Sequence, residues 1–317
     1  MKPPYDITPT ILQLVSSISE KIGEANALFL EKRSPQLRKQ NKIKTIHSSL
    51  QIEGNTLSEE QITALIENKR IIGPQKDITE VINAIEVYEN LSFYKPSSEK
   101  SFLSAHATLM KELIDQPGSY RTRGVGVVKG SQVAHLAPPA SNVPGLMKEL
   151  FQYLKNDEEL ALIKSCVFHY EMEFIHPFLD GNGRMGRLWQ TVILKERYPL
   201  FEFLPFETLI TQTQDEYYQI LSKCDKAGKS TFFIEYMLKI IDHALGTLLN
   251  INGQILTSDQ RISHFISLTK NEFTRKDYMD LFKTISSATA SRDLKKAVEL
   301  NLILAKGKGN QMSYFIQ

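Results

Sequence analysis

The chain has 317 residues, of which 42% are hydrophobic and 23% charged, and a formal net charge of +2 at pH 7. These fractions are ordinary for a globular protein, and the near-neutral charge requires neither a nucleic-acid nor an acidic partner. Cys166 and Cys224 lie far apart and without metal-ligand spacing, so they predict neither a disulfide framework nor a zinc site. Since no apolar run has the length of a signal peptide or a membrane span, we expect a cytoplasmic protein without membrane contact.

Helical periodicity dominates the chain up to about residue 250, because apolar residues recur at intervals of three and four. Ser58, followed by Glu59, Glu60 and Gln61, has the pattern of a capping box and predicts a helix start. The predicted helices cover residues 10–30, 37–53, 58–69, 77–95, 100–114, 142–155, 158–174, 184–196, 214–225 and 230–249.

One segment between these helices reads as β-structure. Residues 125–135 are rich in valine and poor in helix formers, and Lys129-Gly130 in their middle favours a turn. The sequence therefore predicts a short β-hairpin here.

The most informative stretch is residues 176–187, His-Pro-Phe-Leu-Asp-Gly-Asn-Gly-Arg-Met-Gly-Arg. A glycine-rich loop that opens a helix directs backbone N–H groups at an anion. Asp180 is suited to hold Mg²⁺, and Arg184 and Arg187, three positions apart on a helix, to bind phosphate oxygens. His176 is the only group of this stretch that titrates near neutrality, so it is the candidate general base. The combination predicts a site for a polyphosphate and a metal ion.

All twelve positions of this stretch resemble the signature of the Fic family, His-Pro-Phe-x-Asp/Glu-Gly-Asn-Gly-Arg-x-x-Arg. The resemblance implies a mainly α fold, a Fic helical core with a short β-hairpin flap. It also implies an enzyme, since Fic proteins of this type mostly transfer AMP from ATP to a hydroxyl side chain of a target protein and release pyrophosphate. The expected partners are ATP with Mg²⁺, an unidentified target protein and the chain itself through self-modification.

The resemblance also assigns roles to single residues. His176 would take the proton from the attacking Ser, Thr or Tyr hydroxyl, and Asp180 would hold Mg²⁺ against the α- and β-phosphates. Backbone amides would form an anion hole, with Arg187 at the γ-phosphate. The ATP-binding residues implied in this stretch are Gly181, Asn182, Gly183, Arg184, Met185, Gly186 and Arg187.

In Fic proteins the hairpin flap stands beside the catalytic loop and docks the target by adding a strand to it. The matching positions are Gln132, Val133, Ala134 and His135. The alternative is a connecting hairpin that contacts no target.

Residues 215–221 resemble the family's stretch near the adenine pocket. Tyr217 would pack beside the base, and Tyr218 and Leu221 are expected in the core. Family members often carry Asn at the position of Asp225, so a side-chain amide contact to the nucleotide is lost here. The alternative for Asp225 is a loop or helix-end residue without contact to the nucleotide.

The segment Ser49-Leu-Gln-Ile-Glu53-Gly54 resembles the inhibitory motif Ser/Thr-x-x-x-Glu-Gly/Asn, which some Fic proteins, called class II, carry ahead of the catalytic domain. The resemblance implies that Glu53 pairs with Arg187 and keeps ATP in an unproductive pose. One alternative is that Glu53 and Gly54 only end a helix before Ser58 opens the next one. Another is that Glu53 orients a water that removes AMP from a modified target.

Residues 258–317 are expected to form a separate domain. Helical patterns at 261–268, 275–282 and 289–301 precede two strand-like runs within 302–316, an order that resembles a winged helix-turn-helix. This segment has four more basic than acidic residues. The candidate phosphate contacts to DNA are Arg292, Lys295, Lys296, Lys306 and Lys308. The alternative is that the domain serves protein contacts or dimerisation.

The expected organisation is a helical region at 1–75 with the inhibitory helix, a Fic catalytic domain at 76–250 and a winged helix at 258–317. The favoured function is a self-inhibited protein adenylyltransferase. The alternative is a DNA-binding transcriptional regulator whose Fic core senses nucleotide. Whether a homodimer stabilises the inhibitory helix stays open.

Overall fold

The computed structural model describes residues 2–29, 35–129, 132–155, 158–253, 258–269, 272–282, 285–307 and 312–316. It divides into two compact units, Met1–Leu249 and Asn250–Gln317. The first unit contains both the predicted N-terminal region and the predicted catalytic domain, and the boundary between those two stays a prediction. Among the described residues, no helix combines the length and the apolar character needed to cross a membrane.

The first unit is helical apart from one hairpin, as expected. Strands β1 (Gly126–Lys129) and β2 (Gln132–Leu136) pair antiparallel, with Val127 opposite His135, so the predicted hairpin is present. The helices are α1 (Pro9–Phe29), α2 (Pro35–Ile52), α3 (Glu59–Ile66), α4 (Gln75–Glu89), α5 (Glu99–Leu109), α6 (Val143–Leu154), α7 (Ala161–Ile175), α8 (Asn182–Arg197), α9 (Glu207–Gln212), α10 (Gln214–Ala227) and α11 (Thr231–Gly253), with short 3₁₀ helices at Leu91–Phe93, Ala140–Asn142 and Pro199–Phe203. The last four residues of α11 belong to the second unit.

Helix ends account for the main differences from the sequence prediction. The capping box at Ser58 is formed, since its hydroxyl accepts from the N–H of Gln61 and the Gln61 side chain accepts from the N–H of Ser58. The helix predicted over 100–114 ends at Leu109, and Glu112 adopts a left-handed conformation (φ 62°) that no helix tolerates. Helix α9 was not predicted, because its six residues are too few to show a period.

The core of the first unit is centred on α7 and α8, which are buried on almost every face. The ring of Phe102, from α5, lies 5.0–5.9 Å from the rings of Phe151, Phe168, Phe178 and Trp189. Phe178 belongs to the loop between α7 and α8. This aromatic cluster therefore anchors the loop to the core through Phe178.

The second unit contains α12 (Ser258–Leu268), α13 (Arg275–Leu281) and α14 (Ser287–Glu299) with an antiparallel sheet in the order β3-β5-β4. Strands β4 (Ile303–Lys306) and β5 (Ser313–Ile316) match the two predicted runs, while the two-residue β3 (Phe273–Thr274) was not expected. The three predicted helices are present with small shifts of their ends. A buried ion pair of Arg261 and Asp293 at 2.6 Å joins α12 to α14.

The basic residues of the second unit are in part already paired. Lys296 lies 2.7 Å from Asp259, and Lys295 lies 3.8 Å from Glu299. Arg292 is exposed and its Nε donates to the carbonyl of Ala288. Lys308 lies outside the described residues. Contact of this unit with DNA stays a prediction.

We expect Phe102→Ala to destabilise the first unit by about 3–5 kcal/mol, because it leaves a cavity between four buried rings. Phe93→Ala is the matched control, since the side chain of Phe93 is 76% exposed and its loss should change stability by about 0.5 kcal/mol or less. Calorimetry that resolves the melting of the first unit tests this. Equal changes of melting temperature in the two variants would show that Phe102 contributes no more to stability than the exposed Phe93.

Candidate active site

The candidate site is the loop between α7 and α8. α7 ends at Ile175, and the next residue, His176, has left-handed backbone angles (φ 51°, ψ 59°) and donates its N–H to the carbonyl of Met172. Such a conformation costs a non-glycine residue about 1–2 kcal/mol, so the surrounding structure must hold it. The reversal brings the chain from the end of one central helix to the start of the next within residues 177–181.

The side chain of Asn182 organises this loop from within. Its Oδ1 accepts from the N–H of Phe178 at 2.9 Å, and its Nδ2 donates to the carbonyl of Phe178 at 3.0 Å. Asn182 is buried, so its predicted contribution to an anion hole is limited to the backbone. The first N–H groups of α8 have no partner within the helix, and binding of an anion by them stays a prediction.

A buried histidine on α5 supports the loop and was missed by the sequence analysis. His106 Nε2 lies 3.0 Å from the carbonyl oxygen of Asp180, and its Nδ1 accepts from the N–H of Gly118. Because Nδ1 accepts, the proton is on Nε2, which donates to Asp180. The ring stacks on Phe178 with centroids 3.5 Å apart. Burial lowers the pKa of His106 to about 4, so it is neutral at pH 7.

Position 181 requires a glycine, because of its backbone conformation and because of the space beside it. Its φ is +84°, and a Cβ there would lie 2.7 Å from the sulfur of Met110. Only glycine meets both constraints without displacing the loop.

Asp180 and Arg184 form an ion pair. Arg184 Nη2 donates to Asp180 Oδ1 at 3.1 Å, and Nη1 donates to Glu80 Oε1 at 3.0 Å. The Asp180 side chain is 52% exposed, whereas those of Arg184 and Glu80 are almost completely buried. Asn55 donates to the second oxygen of Glu80 at 2.9 Å. Arg184 is thus held from behind by α4, and Asp180 faces solvent.

These residues suit a magnesium ion only in part. Mg²⁺ is usually held by one or two carboxylates together with substrate phosphates and water. Asp180 offers one exposed carboxylate next to the anion-binding end of α8, and the described residues contain no group of three or more metal-ligating side chains. The donor set therefore fits a metal ion that arrives with a phosphate ligand.

Arg187 is bound by the segment that resembles the inhibitory motif. Its Nε donates to Ser49 Oγ at 3.1 Å, and its Nη2 donates to the Ser49 carbonyl at 2.9 Å and to Glu53 Oε1 at 2.6 Å. Burial alone would lower the pKa of Arg187, but the carboxylate of Glu53 outweighs it and raises the pKa above its ordinary value. The structure thus joins the two motifs, which are 134 residues apart at this contact.

Gly54 ends the helix that carries this segment. It has φ +89°, and the N–H groups of Gly54 and Asn55 return to the carbonyls of Gln51 and Leu50. This is the arrangement by which a glycine closes a helix C-terminus. Ser49, in the last turn of α2, and Glu53, directly after its end, both contact the guanidinium of Arg187.

A second carboxyl group lies behind Arg187. Glu207, the first residue of α9, is fully buried, and its two oxygens have no well-formed hydrogen bond within the described part of the chain. Burial raises the pKa of Glu207 to about 8, although the charge of Arg187 acts in the opposite direction. At neutral pH this carboxyl is therefore protonated. Glu207 was not predicted as a site residue, because α9 itself was not predicted.

Near the predicted base pocket, Tyr217 is more buried than expected, and Tyr218 and Leu221 are less buried than expected. Tyr217 is buried in the core with its hydroxyl 3.1 Å from Nε2 of His169, whereas Tyr218 and Leu221 are half-buried. Asp225 Oδ1 accepts from the hydroxyl of Tyr170 at 3.0 Å. A contact of Tyr217 or Asp225 with a nucleotide stays a prediction.

Close approach of the two central helices explains Gly186. A Cβ at this position would lie 2.6 Å from the His169 ring and 2.9 Å from Glu173 Oε1. Burial lowers the pKa of His169 to about 3, and its Nδ1 lies 2.7 Å from the amide oxygen of Gln190, which can only accept. Gly186 thus serves packing, and Met185 is likewise buried.

The hairpin positions named for target docking, Gln132, Val133, Ala134 and His135, lie on β2. The backbones of Gln132, Val133 and His135 pair with β1, and docking of a target on these positions stays a prediction.

Comparison with known proteins identifies the family. A crystal structure of a Fic family protein from Desulfovibrio desulfuricans G20 is 40% identical in sequence, has a TM-score of 0.78 and covers 100% of this chain and 98% of that one. This chain belongs to the Fic family. The model of the Fic/DOC family matches residues 96–194, which include the whole loop of the candidate site. The family prediction from the sequence is confirmed.

More distant relatives extend the likeness. Fic-1 (aa134 - 508) from C. elegans shares the fold, with 23% identity, a TM-score of 0.62 and coverage of 76% of this chain and 72% of that one. A protein adenylyltransferase fic-1 of Caenorhabditis briggsae is 26% identical over 68% of this chain, which spans only 43% of that relative's length. A probable protein adenylyltransferase of Aquifex aeolicus is 25% identical over 72% of this chain and 76% of its own.

The buried carboxyl predicts a pH-dependent stability. The folded chain keeps the proton of Glu207 that the unfolded chain releases above its ordinary pKa of 4.5, so stability falls as the pH rises from there toward 8. Glu207→Gln replaces the titrating carboxyl by a neutral amide. The variant should be more stable than wild type by on the order of 2–3 kcal/mol at pH 7, and equally stable near pH 4.5.

Thermal melting between pH 4.5 and pH 8 checks this prediction. Glu216→Gln is the matched control, because Glu216 is exposed and its substitution should leave the profile unchanged. An equally steep fall of stability in wild type and Glu207→Gln would show that Glu207 is ionised in the folded state.

Proposed function

We propose that this chain transfers AMP from ATP to a hydroxyl side chain of a protein, and that Glu53 restrains the transfer. The observation that carries the proposal is the loop at 176–187. It combines the anion-binding start of α8 with an exposed carboxylate at Asp180 and a histidine at the end of α7. Several Fic relatives are named protein adenylyltransferases, which supports the same reaction here.

The proposed step is an in-line displacement at the α-phosphorus. The target oxygen forms a bond to phosphorus while the bond to the pyrophosphate oxygen breaks, and His176 accepts the proton of the hydroxyl. The products are an AMP-protein and pyrophosphate. A positioned base of this kind contributes about 10²- to 10⁴-fold.

The phosphates would be held by groups that the fold already fixes. Amides at the start of α8 would bind phosphate oxygens, and Arg184, anchored on Glu80, would add a fixed positive charge. Asp180 would hold Mg²⁺, whose charge lowers the repulsion between the phosphates and the attacking oxygen. Little rearrangement is needed at these positions, so they suit stabilisation of charge in the transition state.

The restraint would act through charge. Arg187 is fully buried, and the three hydrogen bonds described for its guanidinium all go to Ser49 and Glu53. Separating one partner from a buried ion pair costs about 3–5 kcal/mol, so a γ-phosphate must supply at least this much to replace Glu53. As long as the pair persists, Arg187 is withheld from ATP.

The restraint would also act through space. A Cβ placed on Gly183 would collide with Glu53 Oε1, so the Glu53 carboxylate lies directly on the first turn of α8. Negative charge there competes with phosphate for the same backbone amides. Glu53 therefore occupies part of the volume that a productive triphosphate needs.

For residues 258–317 we propose a winged helix-turn-helix. Support comes from the order of three helices and a three-stranded antiparallel sheet in the second unit. Arg275 and Arg292 are exposed on α13 and α14, where a nucleic acid or a protein surface would meet them.

The restrained transferase predicts a large gain of activity on removal of one carboxylate. With α-³²P-ATP and Mg²⁺, Glu53→Gly should label itself or a target protein strongly, and wild type weakly. The double variant Glu53→Gly with His176→Ala should lose the label by about 10²-fold or more, since it lacks the base. Label from γ-³²P-ATP should not be incorporated, because that phosphate leaves with pyrophosphate.

Glu112→Gly serves as the matched control for the substitution itself. Glu112 is exposed and has φ 62°, a conformation that glycine adopts without strain, so the variant should stay as restrained as wild type. If Glu53→Gly binds ATP but incorporates no AMP, the proposed reaction is wrong. Equal labelling of wild type and Glu53→Gly would instead disprove the restraint.

A further inference from the structure

Arg121 is a buried arginine whose described hydrogen bonds all end on main-chain carbonyls. It lies between α5 and β1 and is 3% exposed. Its guanidinium reaches Ile175, His176, Pro138 and Arg123. A cation with such partners serves to hold backbone segments in place, and the segments it holds identify its role.

Two of these carbonyls belong to the end of α7. Nε donates to the carbonyl of His176 at 2.7 Å and Nη2 to that of Ile175 at 3.3 Å. The backbone N–H of Arg121 donates to the carbonyl of Pro177 at 2.9 Å. The last carbonyls of a helix have no partner within it and favour a positive charge, so Arg121 caps α7 at the residue that turns left-handed.

The remaining contacts belong to the two ends of the hairpin. Nη2 also donates to the carbonyl of Pro138 at 2.5 Å, two residues after β2 ends, and Nη1 donates to the carbonyl of Arg123 at 3.1 Å, three residues before β1 begins. One planar group therefore binds the catalytic loop on one side and both stems of the hairpin on the other.

We infer that Arg121 is a positioning residue that couples the hairpin to the backbone of His176. Movement of the hairpin stems shifts the guanidinium, and the guanidinium holds the two carbonyls that set the direction of the His176 backbone. The consequence for catalysis rests on the proposed function: docking of a target on the hairpin would fix the base in place. Misplacement by about 1 Å can cost about 10²-fold in rate, so such a link is large enough to matter.

Lysine cannot replace this arginine. A guanidinium directs several donors in one plane, whereas an ammonium on a flexible stem is a point charge. Arg121→Lys keeps the charge and most of the volume but loses the simultaneous contacts. Arg123→Lys is the matched control, because Arg123 is exposed and contributes to the network through its carbonyl alone.

The first measurement uses the full chain in the Glu53→Gly background. We expect Arg121→Lys to lower AMP transfer by about tenfold or more while ATP affinity and melting temperature stay close to those of the Arg123→Lys control. Adding methylguanidinium to Arg121→Ala should restore part of the transfer without changing the melting temperature. Parallel loss of ATP binding, melting temperature and transfer would show that Arg121 serves folding alone and would overturn the inference.

The second measurement does not depend on the reaction. Hydrogen exchange should quicken together in peptides that cover the hairpin and in peptides that cover 172–182 when Arg121 becomes lysine, and in neither when Arg123 does. Faster exchange in only one of the two regions would contradict the coupling. If Glu53→Gly incorporates no AMP at all, the proposed function fails, and the exchange comparison still decides the inference.

Discussion

The structure around the site depends on the burial of a permanent positive charge at Arg187. A guanidinium removed from water must be surrounded by acceptors, and here the helix that carries Ser49 and Glu53 supplies them. That requirement ties α2 to α8 across more than one hundred residues of sequence. In the proposed reaction the same charge must bind a phosphate, so one buried cation serves two alternative anions.

Polar contacts hold α2 beside this cation. Ser48 Oγ donates to Thr208 Oγ1 at 3.1 Å, Gln214 Nε2 donates to the Ile52 carbonyl at 2.9 Å, and Asn41 donates to the carbonyl of Phe203 at 2.8 Å. Hydrogen bonds of this kind contribute about 1 kcal/mol each. They fix the position of α2, so Ser49 and Glu53 are held next to Arg187.

Some residues of this site could be predicted from the sequence and others could not. The loop at 176–187 and the segment of Glu53 were readable because each concentrates specific residue types at a fixed spacing. His106, Arg121 and Glu207 were not readable, since each is a single polar residue whose role depends on a partner far away in the chain. The same holds for helix ends, which are set by tertiary contacts as much as by local sequence.

The three arginines of the site differ in how readily their partners can leave. Glu80 is buried and also held by Asn55, so Arg184 keeps its carboxylate, and Arg121 binds carbonyls that cannot leave the backbone. Glu53 differs from Glu80, because its side chain is 30% exposed and it follows the end of α2 directly, beside Gly54. Arg187 can therefore lose Glu53 more readily than Arg184 can lose Glu80. In the proposed function, Arg184 and Arg121 would keep their partners while Arg187 exchanges Glu53 for a phosphate.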